Sequence, residues 1–200
     1  LLLGVGCGSA PSSERLPVLG PMELVTAADG SIDTVFYPYP AYELTDQYGL
    51  PFTPDSLHNQ VLVVDFFFSS CPTICKDLLR NMRGVHAAYG NDHRVRLLSH
   101  SVDPTYDTPE VLAAYAQSAG VTGRNWLFLT GDTEVIYSLA QRAYLSHAQA
   151  DSSAPGGYLH SGHIILVDPN KRIRGVYDGT DDAQLPLLKQ DIARLLQENP

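Results

Sequence analysis

Two cysteines four residues apart, in the stretch FFFSSCPTICKDLL at 66–79, carry the chemistry that stands out in this 200-residue chain. In a helix, residues at i and i+4 share a face, with Cβ atoms about 5–6 Å apart. A helix beginning at Cys71 would therefore present the sulfurs of Cys71 and Cys75 side by side. A disulfide needs Cβ atoms about 3.5–4.5 Å apart, so the first turn must loosen to close one. Dithiol and disulfide are both reachable. A helix N-terminus stabilises negative charge and favours the thiolate there, and Lys76 adds a positive charge beside the pair.

Two adjacent thiolates form a soft site, suited to Cu(I), zinc or iron–sulfur chemistry. A structural zinc site wants four ligands, usually as two Cys/His pairs, and a cluster needs more thiolates. The remaining cysteine, Cys7, is far along the chain. That leaves copper or redox cycling, alongside the plainer readings of a static disulfide or two packed thiols. A nitrogen donor could come from seven histidines, at 58, 86, 93, 100, 147, 160 and 163. Two stand out in GGYLHSGHIILVD, where His160 and His163 lead into an apolar run. Side chains alternate along a strand. If 160–167 is one extended strand, only one of these two can face the cysteines.

The elements that must position these groups can be read in order. The run VLVVDFFF (61–68) suits a central strand covered on both faces. Leu78, Leu79, Met82 and Val85 recur at helical spacing, and Gly90-Asn91 closes that helix. RVRLLSHSV (94–102) is a second strand. DTPEVLAAYAQSAG has a polar cap, an early Pro and Glu and a terminal Gly, the marks of a helix. WLFLT (126–130) is a third strand, and the next helix is capped near Asp132 or Thr133. Residues 146–158 read as a mobile loop. HIILVD and RIRGVYDG form a hairpin about PNK, and 182–197 a last helix. Upstream, residues 9–40 are rich in Ser, Pro and Gly and lack a sustained period, and YPYPAYELTDQYGLPFT (37–53) is a loosely structured lead-in that ends as a hairpin with QYG at its turn. Alternating strands and helices imply an α/β sheet with helices on both faces.

Composition narrows the function. Net charge is −9, which argues against nucleic acid, whose phosphates call for a basic face. The opening LLLGVGCGSAPSSE reads as the end of a lipoprotein signal, with lipid on Cys7 and a Ser/Pro tether behind it. This reading divides the chain into a signal remnant (1–8), a tether (9–35) and one domain (36–200), placed in a bacterial cell envelope outside the cytoplasmic membrane.

The chain resembles the Sco/SenC family of copper proteins needed to assemble cytochrome c oxidase. The matching residues are FFFSSCPTIC, SVDPTYDTPEVLAAYA, WLFLTG and LHSGHIILVDPNKRIRGVYDGT, in that order, across about 40–197. The resemblance implies a thioredoxin-like, peroxiredoxin-type central sheet with helices on both faces and an N-terminal hairpin extension. It implies copper, as Cu(I) or Cu(II), held by Cys71, Cys75 and one distal histidine. His160 matches that histidine by its spacing of nine residues to Pro169. Asp103 matches an acidic residue after the second strand, near the metal or simply in the turn before Pro104. Lys76 departs from the family, where many relatives carry Pro.

Two activities follow from the resemblance. One is a metallochaperone that hands copper to the binuclear copper centre of an oxidase subunit. The other is an envelope thiol–disulfide oxidoreductase that reduces that subunit's cysteines through Cys71 and Cys75, kept reduced by a thioredoxin-like partner. His160 separates them, because dithiol exchange does not require it. A thiol peroxidase fits less well, since the Pro and Thr that precede a peroxidatic cysteine are missing before Cys71.

Overall fold

A computed structural model describes residues 15–27, 29–36 and 39–199. In chain order the elements are β1 (Met22–Thr26), β2 (Ile32–Phe36), β3 (Leu44–Asp46), β4 (Pro51–Phe52), β5 (Val61–Phe67), α1 (Cys75–Tyr89), β6 (Val95–Ser101), α2 (Pro109–Ser118) and β7 (Trp126–Thr130). Then come α3 (Thr133–Ser138), which runs on into a π-helical turn at Leu139–Ala143, β8 (Ala148–Ala150), β9 (Tyr158–His160), β10 (His163–Val167), β11 (Ile173–Asp178) and α4 (Gln184–Glu198). Seven strands make one sheet in the order β11-β10-β5-β6-β7-β3-β4. β5, β6 and β7 are parallel, while β10, β11 and β3 each run antiparallel to their neighbours.

β5 is buried along its whole length, as a strand covered on both sides must be. Successive side chains face opposite ways. Phe67 stacks on Tyr115 of α2, whereas Phe66 stacks on His100 and meets the edge of Tyr144, just past the π-helical turn. α1 shares the Phe67 side, with Cys75, Phe67 and Tyr115 around one crevice. α4 lies against α1, where the Tyr89 hydroxyl donates to the Lys189 carbonyl at 2.8 Å. Helices thus cover both faces. The caps are those the sequence marks: Thr108 accepts from the Val111 N–H, and Asp132 from the Val135 N–H at 3.0 Å. The QYG turn also forms. Asp46 accepts from the N–H groups of Tyr48 and Leu50, both at 2.9 Å, and Gly49 takes φ +73°. Its hairpin joins the main sheet through β3 and β7.

Four expectations change. The helix after the cysteine motif begins at Cys75 and not at Cys71. Pro72 is the physical reason, since a residue preceding proline is steered out of the α region. Residues 146–158 are not one irregular loop but hold β8, which pairs with β9, and a tight 3₁₀ turn at Pro155–Gly157. Residues 160–167 are not one strand, because β9 ends at His160 and β10 starts at His163. Within the stretch expected to lack regular structure, β1 and β2 pair as a hairpin. Leu19 also bridges to Ile173, and the buried Arg174 reaches the carbonyls of Leu16 and Pro17 as well as Asp168 and Glu198. Cys7 and the rest of 1–8 lie outside the described residues. No helix among the described residues is long and apolar enough to cross a membrane.

Candidate metal centre

The cysteine motif leaves the C-terminal end of β5. The chain turns at once, with the Cys71 N–H donating to the Phe68 carbonyl at 3.1 Å. Cys71 sits half-buried in the loop, and Cys75, 4% exposed, opens α1. The loop folds Cys71 back over the first turn of the helix, so the two sulfurs meet without sharing a helix face. His160 arrives from the separate β8–β9 hairpin, and its Nε2 lies 3.3 Å from Cys75 Sγ. Donor atoms of Cys71, Cys75 and His160 all lie within 4.8 Å of one another, the one such group among the described residues. Both cysteines are free thiols.

The bend after His160 is closely packed. A Cβ on Gly162 would lie 2.8 Å from Thr180 Cγ2, so glycine alone fits there without a shift, and the Gly162 carbonyl accepts from the Gly179 N–H at 2.7 Å. His163, beyond the bend, pairs in register with Asp178 on β11 and is not part of the donor group. His160 Nδ1 is 3.3 Å from the Ser161 carbonyl. Nε2, the other ring nitrogen, faces the sulfurs, where it can serve as a donor to a metal.

The pair shares its charge unequally. A hydrogen bond from Cys75 is the main influence that pulls the Cys71 thiol far below its ordinary value. His160 and the N–H groups of Thr73 and Cys75 add to it. The same contact, with burial, pushes the Cys75 thiol up. Of the two sulfurs, Cys71 is thus the one favoured as thiolate when no metal is bound. Cys71 opens onto a cleft of about 120 Å³ lined by Phe68, Thr73, Ile74, Pro155, Tyr158 and Leu159.

Carboxylates surround the centre without entering it. Asp103 is buried and accepts from the Tyr158 hydroxyl at 2.7 Å, two residues before His160. It also makes the turn, its carbonyl accepting from the N–H groups of Tyr106 and Asp107. Two further buried acids escape a reading of the sequence. Asp65, inside the apolar run, accepts from Ser99 Oγ at 2.5 Å, which in turn accepts from Trp126 Nε1 at 2.9 Å. It shares the crevice of Cys75, and burial pushes its carboxyl up to about 7. A lone charge in eight otherwise apolar residues was the available signal, because buried charges are rare without a task. Asp107, fully buried, is hidden by the adjacent Thr-Pro-Glu, which marks the start of α2 so clearly.

Residues 37–197 match the family model described as SCO1/SenC. A SCO1 protein homologue of Bacillus subtilis is 27% identical over 164 residues, covering 80% of this chain and 83% of the relative. Among solved structures, a SCO1/SenC family lipoprotein from Bacillus anthracis superposes with a TM-score of 0.72 at 29% identity, over 78% of this chain and 94% of that one. BsSco, described as a member of the Sco family of cytochrome c oxidase assembly proteins with a disulfide switch, gives 0.70 at 25% identity, over 80% and 93%. ScoI of Bradyrhizobium japonicum, solved with copper bound, gives 0.63 at 25% identity, over 79% and 97%.

Proposed function

The chain belongs to the SCO1/SenC family, and from that premise we propose that it is a copper-binding metallochaperone whose cargo is held by Cys71, Cys75 and His160. It would hand that copper to the binuclear copper centre of cytochrome c oxidase during assembly. The observation that carries this reading is the convergence of two sulfurs and one imidazole nitrogen within 4.8 Å. Two thiolates suit Cu(I), and the imidazole supplies the further donor that Cu(II) favours. Metal takes the thiolate form, so loading releases thiol protons. The half-buried Cys71, at the edge of the cleft, is where an incoming thiolate of the oxidase subunit can begin to exchange for it.

The same dithiol could reduce the cysteines of that subunit, with a thioredoxin-like protein regenerating it. An imidazole partner is not needed for that exchange, so His160 placed beside the sulfurs supports metal over exchange. In this reading Asp103 acts from behind the ligands by holding Tyr158. The protein works in the bacterial envelope, held by lipid on Cys7, in keeping with a structural neighbour that is described as a lipoprotein. Fractionation of wild type and Cys7→Ala checks the anchor: two identical soluble profiles would remove it.

The deciding experiment is copper stoichiometry. Reduced protein should bind one copper per chain, lost in Cys71→Ser or Cys75→Ser. A full complement in the double variant would end the proposal.

A further inference from the structure

Cys71 and His160 sit on two segments that do not touch through the main sheet. Cys71 lies on the loop after β5, and His160 on the separate β8–β9 hairpin. Phe68 of the Cys71 loop packs against Tyr158 and His160, and a polar connection adds direction to this apolar contact. The loop between β6 and α2 supplies that connection, through one run of hydrogen bonds centred on Asp107.

Asp107 is fully buried. One carboxylate oxygen accepts from the Ser69 N–H at 3.1 Å and the other from the Ser69 hydroxyl, two residues before Cys71. The Ser101 hydroxyl also donates to Asp107. Ser101 Oγ in turn accepts from the Asp103 N–H at 3.1 Å, and the Asp103 carboxylate accepts from the Tyr158 hydroxyl at 2.7 Å. Tyr158 opens the strand that ends in His160. The run Ser69–Asp107–Ser101–Asp103–Tyr158 thus spans from one ligand-bearing segment to the other. Each bond along it has a side chain at one end at least, so single substitutions can break it without removing a metal donor.

We infer that Asp107 is a positioning residue of this centre, which fixes the Cys71 loop through Ser69 and the His160 hairpin through Ser101 and Asp103. A carboxylate only accepts, and here every partner donates. Asparagine in its place would turn an NH₂ toward at least one of three donors. Residues that orient metal ligands typically change affinity by about 10–100-fold when removed. The inference rests on the copper reading for its main assay but not for its second one.

The experiment uses the whole chain, with Asp107→Asn, Ser69→Ala, Ser69→Thr and Tyr158→Phe. Circular dichroism establishes that each is folded. The first readout is Cu(II) affinity together with the position of the thiolate-to-copper absorption band. Asp107→Asn and Ser69→Ala should each lose about tenfold or more and shift the band. Ser69→Thr, which keeps the hydroxyl, should restore both. Ser69→Ala combined with Tyr158→Phe should lose less than the product of the single losses, because both cut one run. The second readout is the alkylation rate of Cys71 in metal-free protein, which should change in Asp107→Asn and Ser69→Ala and return in Ser69→Thr. If Asp107→Asn does not fold, the Ser69 and Tyr158 variants carry the test. Wild type that binds no copper would end the proposed function and leave the alkylation readout to decide Asp107. Unaltered band, affinity and alkylation in Ser69→Ala would overturn the inference.

Discussion

Asp65→Asn should make the stability of the metal-free, reduced protein less sensitive to rising pH between about 4 and 7. Asp65 lies in the middle of the central strand, fully buried, and burial raises its carboxyl from an ordinary 3.8 to about 7. Between those two values the folded protein keeps a proton that the unfolded chain has released. Stability therefore falls as pH rises through that window, by about 1.36 kcal/mol per pH unit for one group. Over roughly three units the loss approaches about 4 kcal/mol, with the opposing effect of the bond from Ser99 already included. The substituted asparagine would keep an oxygen for the Ser99 hydroxyl and has no proton to lose. Urea unfolding at pH 4.0, 5.5 and 7.5, on wild type and variant, measures the difference (pH values of about these magnitudes bracket the window). Both should be similar at the acid end, with the variant gaining steadily toward neutral pH. Equal pH dependence in the two proteins would show that Asp65 does not hold its proton through this range, and the reasoning from burial would fail.

Three further outcomes are expected. His160→Ala should weaken Cu(II) binding strongly and Cu(I) binding less, because two thiolates can hold Cu(I) alone, while His163→Ala should leave the thiolate-to-copper band unchanged; the opposite pattern would reverse the assignment of the ligand. Copper should load only into protein reduced beforehand, since a disulfide offers no comparable donor, and equal loading of an oxidised sample would refute this. Gly179→Ala should destabilise the fold by about 1–3 kcal/mol in thermal or urea unfolding, because its Cβ would overlap Leu78 Cδ1 and lie 2.8 Å from the Gly162 carbonyl oxygen; an unchanged midpoint would mean that β11 can move away from α1 without cost.

The parts of this molecule legible in the sequence are those whose signals are local. β5, α2 and the β10–β11 hairpin each carry their own period, cap or turn, and they stand where the sequence places them. The β8–β9 hairpin does not: three residues a side, mostly Ala, Gln, Leu and Tyr, pair through so few bonds that no period can show. The helix start at Cys75 was obscured in another way, because Pro is compatible with a first helical turn and equally with the bend that precedes one. His160 illustrates how a placement can follow from a premise that does not hold. Alternation along one strand separates it from His163, yet the two lie on different strands, with Ser161 and Gly162 between them. What a sequence conceals most completely is the tertiary hydrogen bond. Asp107 reaches Ser69 across 38 positions, and Tyr158 reaches Asp103 across 55. Neither pair has a motif, because neither is a feature of one element. The metal donors are conspicuous because copper chemistry restricts which residue types can serve. The groups that hold those donors in place need only be polar, short and buried, and many residues in the chain satisfy the first two conditions. Burial and partnership come only from the fold, so the positioning of the centre is written in contacts between the β6–α2 loop, the Cys71 loop and the β8–β9 hairpin, and not in any one stretch of the chain.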